Sequence, residues 1–404
     1  MTSTVGIKVI GTTLAILNKQ TNTIIKTPDK YNRILGQSKN FLVCPVSLEQ
    51  LFAMVQVGAK GETAQEIAVG LKLPIQTERL LSSFAQVHLV NSGNINYHIR
   101  SHRKLFLKSG FKMNDEFKKN LTDVFNANVV YVDLYPSKKS TNAINTWINK
   151  HTDSDVEHDM LLPETISDET RAILANVLIL QGVWVMGFQQ NPTIARQFFI
   201  DSTHYILVET LEIVSHFNYY ENTQLKAKFL QITYENSKSS LTLALPFDVD
   251  GLSNLEPHLQ YIIDEPQYQH MMVKVRLPKI DFGSFIPFNN ILNKLGIVTA
   301  FQNDADFSLV SSNKDDKLKV NKVIQNTWFK IEEKIKSDKN SSMTLPRPTI
   351  DPELTTFYAN HPFILFLKDA EKGIYFMGRF LQPEGIIVPG NFEKYEQESK
   401  NAIA

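Results

Sequence analysis

Hydrophobic and polar positions follow two rhythms along this chain. Over residues 46–71, VSLEQLFAMVQVGAKGETAQEIAVGL, apolar side chains recur at helical spacing. Gly58 to Gly61 break that run, and Thr63 is placed to cap a second short helix. Residues 114–126, 139–150 and 288–302 carry the helical rhythm again. RAILANVLILQGVWV, 171–185, is apolar on both faces and predicts a strand in the middle of a sheet. LTLALPF (241–247) and MMVKVRLPKIDF (271–282) alternate with period two, as half-buried strands do. HIRSHRKLFLKSGFK, 98–112, alternates basic with apolar residues and predicts an exposed strand. Strands dominate from residue 318 onward. The two kinds of element mix without strict βαβ order, so the pattern predicts an α+β fold.

One stretch carries neither rhythm. IEEKIKSDKNSSMTLPRPTIDPE, 331–353, lies between the strand-like runs VNKVIQNTWFKI and FILFLKDAEKGIYFMGRFL. Connections of that length inside a compact domain are generally functional or disordered.

Composition narrows the possibilities. The chain has 404 residues, 43% of them hydrophobic, enough for a large core. Length alone suggests two or three domains, yet no linker, repeat or low-complexity tract divides the sequence. A single domain over residues 1–385 is expected, followed by a polar C-terminal extension at 386–404. Lys plus Arg and Asp plus Glu each number 42, and zero net charge argues against nucleic acid as the partner. No window is apolar enough to cross a membrane, and VGIKVIGTTLAIL reads as an amphipathic first helix rather than a signal peptide. Cys44 is the single cysteine, which excludes an intrachain disulfide. Asn120-Leu-Thr and Asn340-Ser-Ser are acceptor sequons, giving Asn120 and Asn340 as glycosylation candidates. Secretion, with a signal peptide not visible in this numbering, is the expectation; a cytoplasmic location is the alternative.

No enzyme constellation appears: there is no G-x-S-x-G, H-E-x-x-H, phosphate loop or Cys/His metal spacing. HTDSDVEHD, 151–159, has two histidines and four carboxylates but lacks EF-hand order, and reads as a solvated acidic loop. The basic run 98–112 could meet a sulfated glycan, but a plain strand face is the better reading. Neither metal, cofactor nor enzymatic activity is expected.

Several blocks together resemble the serpin superfamily. NFLVCPVSLEQLFAMVQVGAKGETAQEIAVGL (40–71), ILANVLILQGVWVMGF (173–188), the segment from LPKIDF to LGIVTAFQNDADFSLV (277–310) and FYANHPFILFLKDAEKGIYFMGRFLQPEG (357–385) occur in family order. The resemblance implies about nine helices around three β-sheets, with an exposed reactive-centre loop at about 334–356 acting as protease bait. It also implies that the cleaved loop inserts as a new strand in the central sheet, trapping a serine protease as an acyl-enzyme. A sheet-control network carries over as Asn40, Ser47, Asn176 and Trp184, with Gln325 where the family usually has histidine and Cys44 where it usually has serine.

The hinge departs from the family's pattern. Glu333 takes the glutamate position, followed by Lys334, Ile335, Lys336, Ser337 and Asp338 where inhibitory members have glycine, threonine and alanine-like residues. Inserted side chains alternate between faces, so Lys336, Asp338, Asn340 and Ser342 would enter the buried side. Burying an ion costs several kcal/mol even after relaxation, and Ile335 lacks glycine's freedom at the pivot. Poor insertion is therefore expected. The protease-binding loop is read as Ser341, Ser342, Met343, Thr344, Leu345, Pro346 and Arg347. Pro348 protects the Arg347 bond, whereas an apolar Met343 before Thr344 suits a papain-like cysteine protease attacking Thr344–Leu345. A serine protease is the second choice of partner. The alternative is a non-inhibitory carrier, storage protein or chaperone, and a monomer is expected either way.

Overall fold

The computed structural model describes residues 8–13, 40–85, 92–94, 97–152, 161–183, 193–233, 238–263, 267–311, 313, 317–332, 354–369 and 373–401. Residues 8–13 are helical, within the segment expected to open the chain as a helix. Strand β1 (Phe41–Val43) leads into helix α1 (Pro45–Val57), where proline stands at the first helical position with its fixed φ. All thirteen residues of α1 are buried. It is a core helix rather than a surface one, which its apolar content on every side allows. It ends at Gly58, where the backbone lies close against its neighbours and only glycine fits: a Cβ there would lie 2.3 Å from Val310 Cγ2.

Helix α2 (Gly61–Gly70) follows, as the sequence predicts, but Thr63 does not cap it. The Thr63 hydroxyl lies inside the helix and accepts a bond from the Asp306 N–H at 3.0 Å instead. Helix α3 (Thr77–Ala85) completes this group. Helix α4 (Asp115–Asp123) has a true side-chain cap, with Asn114 accepting from the N–H groups of Glu116 and Phe117 at 2.9 and 3.3 Å. Helix α5 (Ser137–Lys150) lies over the smaller sheet, where Ile144 and Ile148 join the Phe106, Ile173 and Val177 cluster.

That smaller sheet has six strands: β2 (Ser92–Asn94), β3 (Tyr97–Lys108), β4 (Asn128–Val132), β5 (Ala172–Val183), β11 (Ile280–Pro287) and β12 (Lys322–Glu332). Its order is β11-β12-β5-β3-β2, with β4 also on β3. β5 is central, which explains why it is apolar on both faces apart from Asn176 and Gln181. β3 is not an exposed strand. It pairs along β5, and Ile99, Ser101, Arg103, Leu105 and Leu107 all face inward. The alternation was legible, but burial of a basic residue on the inner face was not.

The larger sheet contains β1, β6 (Ile194–Asp201), β7 (His204–Asn222), β8 (Ala227–Thr233), β9 (Ser239–Pro246), β10 (Gln269–Pro278), β13 (Thr355–Tyr358), β14 (Phe363–Asp369), β15 (Gly373–Phe380) and β16 (Ile387–Pro389). Two hydrogen-bonded sheets therefore stand among the described residues where three were expected. The reason is β7, nineteen residues long, which pairs with β6, β10, β16 and β8 in turn and joins what would otherwise be two sheets. The run 271–282 is likewise not one strand. It breaks at Lys279 into β10 and β11, which belong to different sheets. The helix expected over 288–302 is limited to Asn289–Lys294 and a short turn at Thr299–Phe301. Close packing of β1 on β15 requires Gly378, because a Cβ there would meet the Phe41 carbonyl oxygen. The segment from 386 packs on the body: β16 pairs with β7, and helix α6 (Phe392–Asn401) buries Phe392 against Phe199 and His361.

Candidate functional site: the β5–β12 seam and the loop anchors

The stretch without rhythm joins the two sheets. β12 ends at Glu332 in the smaller sheet, and β13 begins at Thr355 in parallel with β10 in the larger one. Residues 333–353 between them lie outside the described residues, so the hinge positions Glu333, Lys334, Ile335, Lys336 and Asp338 and the loop positions Ser341 to Arg347 are not placed. The same holds for Trp184 and Asn340. Asn120 is half-buried on α4.

At the loop's first anchor, β12 and β5 pair directly in parallel. Their register runs through eleven pairs, from Lys322 opposite Ile173 to Glu332 opposite Val183. No strand separates them along that length.

A buried polar cluster closes this seam from the α1 side. The Ser47 hydroxyl lies 2.9 Å from Asn176 Oδ1 and donates to it. Gln325 accepts from the Cys44 N–H at 2.9 Å, donates to the Cys44 carbonyl at 3.1 Å and reaches Asn176 Oδ1 at 3.4 Å. Asn176 Nδ2 in turn donates to the His102 carbonyl at 3.2 Å. Ser47, Asn176 and Gln325 are each 1% exposed or less, so these bonds form away from water. One cluster thus ties α1, β3, β5 and β12 together. Glutamine both donates and accepts, and so binds both backbone groups of Cys44. Asn40 stands apart from it. Its side chain accepts from the Leu381 and Gln382 N–H groups and donates to the Gln382 carbonyl, fixing the end of β15.

Cys44 contributes its backbone, not its thiol. Complete burial pushes the thiol up to about 12, which leaves it protonated and unreactive. Three polar residues near the seam were not singled out in the sequence. Arg103, opposite Asn176 on β3, is buried with its Nε unpartnered. Asn326 and Thr327, next to Gln325, also hold buried side-chain atoms without partners. The signal was present as Gln325-Asn326-Thr327, three polar residues in the middle of an apolar strand. Replacing Asn176 with alanine strands the Ser47 hydroxyl and the His102 carbonyl together. The expected loss is about 2 kcal/mol, read as a lower urea midpoint with faster amide exchange confined to β5 and β12.

The fold agrees with the comparisons to known proteins. A family model described as "Serpin (serine protease inhibitor)" matches residues 28–383. The chain belongs to the serpin family, whose members are typically protease inhibitors rather than enzymes. Human serpin B4 is 25% identical over 373 residues, covering 86% of this chain and 95% of the relative. Antichymotrypsin-2 of Bombyx mori is 25% identical over 336 residues, covering 82% and 88%. Among solved structures, Serpin48 from the insect Tenebrio molitor superposes with a TM-score of 0.75 at 28% identity, covering 88% of this chain and 95% of that one.

Proposed function

We propose that this serpin is a protease inhibitor whose loop, at about residues 334–356, docks in a protease cleft as bait and lets go again rather than trapping the enzyme. The favoured target is a papain-like cysteine protease, with a serine protease second. The observation that carries the reading is the directly paired β5–β12 seam with its buried Ser47–Asn176–Gln325 cluster. Insertion of the loop has to part eleven residue pairs and that cluster. The strand on offer carries Lys336 and Asp338, and burying an ion costs several kcal/mol. Inhibitory force then comes from a substrate-like segment stiffened by Pro346 and Pro348, which lowers the ordering cost of binding. Met343 supplies the apolar anchor and Thr344–Leu345 the bond presented for attack.

The test follows residual protease activity before and after dilution, with a papain-like and a trypsin-like enzyme in parallel. Recovery of the cysteine protease on dilution is expected, and Met343→Asp abolishes the effect. Irreversible loss of the serine protease, with a large rise in melting temperature after loop cleavage, means that the charged hinge inserts and overturns the non-trapping reading. A loop that is simply cut, slowing neither enzyme, favours the carrier or chaperone role instead.

A further inference from the structure

On the outer face of the larger sheet, one row of side chains crosses four strands. Arg276 on β10 stands opposite Glu212 on β7 and opposite Tyr358 on β13, while Arg196 on β6 stands opposite Val208. The intervening residues Val273, Val275 and Leu277 point the other way into the core. Among the described residues, Glu212 is the single carboxylate for three cations: Arg276 Nε lies 2.5 Å away, Arg196 Nη2 3.1 Å and Lys274 Nζ 3.4 Å. Burial pushes the Glu212 carboxyl up, but the Arg276 hydrogen bond and the charges of Arg276, Lys274 and Arg196 outweigh it and hold it below its ordinary value. The carboxylate is ionised, and the cluster keeps a surplus of two positive charges.

The cluster is also rich in unused donors. Arg196 Nε is buried without a partner. The two terminal nitrogens of Arg276 meet no acceptor among the described residues, and neither does Arg196 Nη1. Arg276 and Arg196 line a cleft with Tyr358, Asn360 and Tyr395, and no acidic residue is among its lining. The Arg276 guanidinium is held over the Tyr358 ring at 4.2 Å, which fixes its plane before anything binds. Tyr395 comes from α6, beyond the residues matched by the family model, and is placed by packing on Phe199 at 5.2 Å between ring centres.

We propose that this cleft binds a tetrahedral oxyanion, phosphate or sulfate, either as the free ion or as the terminal group of a monoester. Arg196 and Arg276 form the ligating fork, and Tyr395 closes the side that the C-terminal helix supplies. A dianion matches the surplus of two charges, and planar guanidinium groups bind paired oxygens through parallel N–H bonds. The site is independent of the bait loop and of the inhibitor reading.

The experiment is calorimetric titration of the full-length protein with inorganic phosphate, inorganic sulfate and glycerol phosphate, against sodium chloride at matched ionic strength. Saturable binding of phosphate and sulfate is expected at millimolar concentration or below, with none for chloride. Arg276→Gln weakens it by at least about tenfold. Tyr395→Phe keeps the ring against Phe199 and weakens it by about threefold through the lost hydroxyl, with the melting temperature in chloride unchanged. Because that variant leaves the Glu212 ion pairs intact, it remains informative if Arg276→Gln fails to fold. Tighter binding of glycerol phosphate than of phosphate assigns the site to a monoester, and the reverse assigns it to the free ion. Phosphate binding no better than chloride, or equal in Tyr395→Phe and the parent protein, overturns the proposal.

Discussion

Glu49→Gln stabilises the protein at pH 8 by about 3 kcal/mol and leaves its stability at pH 4 nearly unchanged. Glu49 lies on α1, two residues after Ser47, and is 5% exposed with its Oε1 buried and unpartnered. Burial pushes its carboxyl from an ordinary 4.5 up to about 8. The folded state therefore holds a proton that the unfolded chain releases between those two values. A raised carboxyl contributes stability that is fully present below pH 4.5 and lost as pH rises through about 8. The interval sets an upper bound of about 5 kcal/mol, which relaxation and water entry reduce. Glutamine has nearly the same shape and no charge to desolvate. Urea unfolding of both proteins at pH 4, 6 and 8 measures the effect; parallel pH profiles would mean that Glu49 is solvated after all.

His361 acts with the opposite sign. It follows Asn360, just beyond the strand that ends the loop, and its Nε2–H donates to the Pro246 carbonyl at 2.9 Å. Burial drives the imidazole from 6.5 down to about 4, so the folded protein holds it neutral. A depressed histidine contributes stability that is present above pH 6.5 and lost as pH falls toward about 4. At pH 4.5 the expected loss from this residue is about 2 kcal/mol. His361→Gln keeps a donor for Pro246, begins less stable at pH 7, and shows a flatter decline between pH 6.5 and 4.5. An acid limb of the same steepness in the variant assigns acid unfolding to other groups. Glu49 and His361 together bound the pH range of greatest stability from the alkaline and the acid side.

The C-terminal segment shows how a polar stretch docks. Residues 386–404 read as a polar extension, because EKYEQESK carries one aromatic among charges. Two side chains suffice to dock it. Phe392 and Tyr395 both pack on Phe199, and the backbone bonds from Gly390 to Thr203 and from Phe392 to Ser202 fix the approach. No periodicity signals such a contact, since the receptor surface is built from Phe199 on β6, the turn at Ser202 and Thr203, and His361 beyond β13.

What the sequence determined by itself is local or additive. Periodicity placed α1, α2, α4, α5, β5 and β9 to within a few residues, because side-chain spacing is imposed by the element's own geometry. Net charge and the absence of enzyme motifs are sums over the chain, and the charged hinge after Glu333 is written in consecutive residues. Only the tertiary structure decided the rest. The alternation over 271–282 continues across Lys279 although its halves join different sheets, since each half is half-buried whichever partner it meets. Gln325 meets the Cys44 backbone across 281 positions. Arg196 and Arg276 come to share Glu212, and Glu49 and His361 change their titration, because burial and charge act through space. Which polar groups meet in the dark interior of a large sheet protein is set by strand order and register, and a sequence states neither.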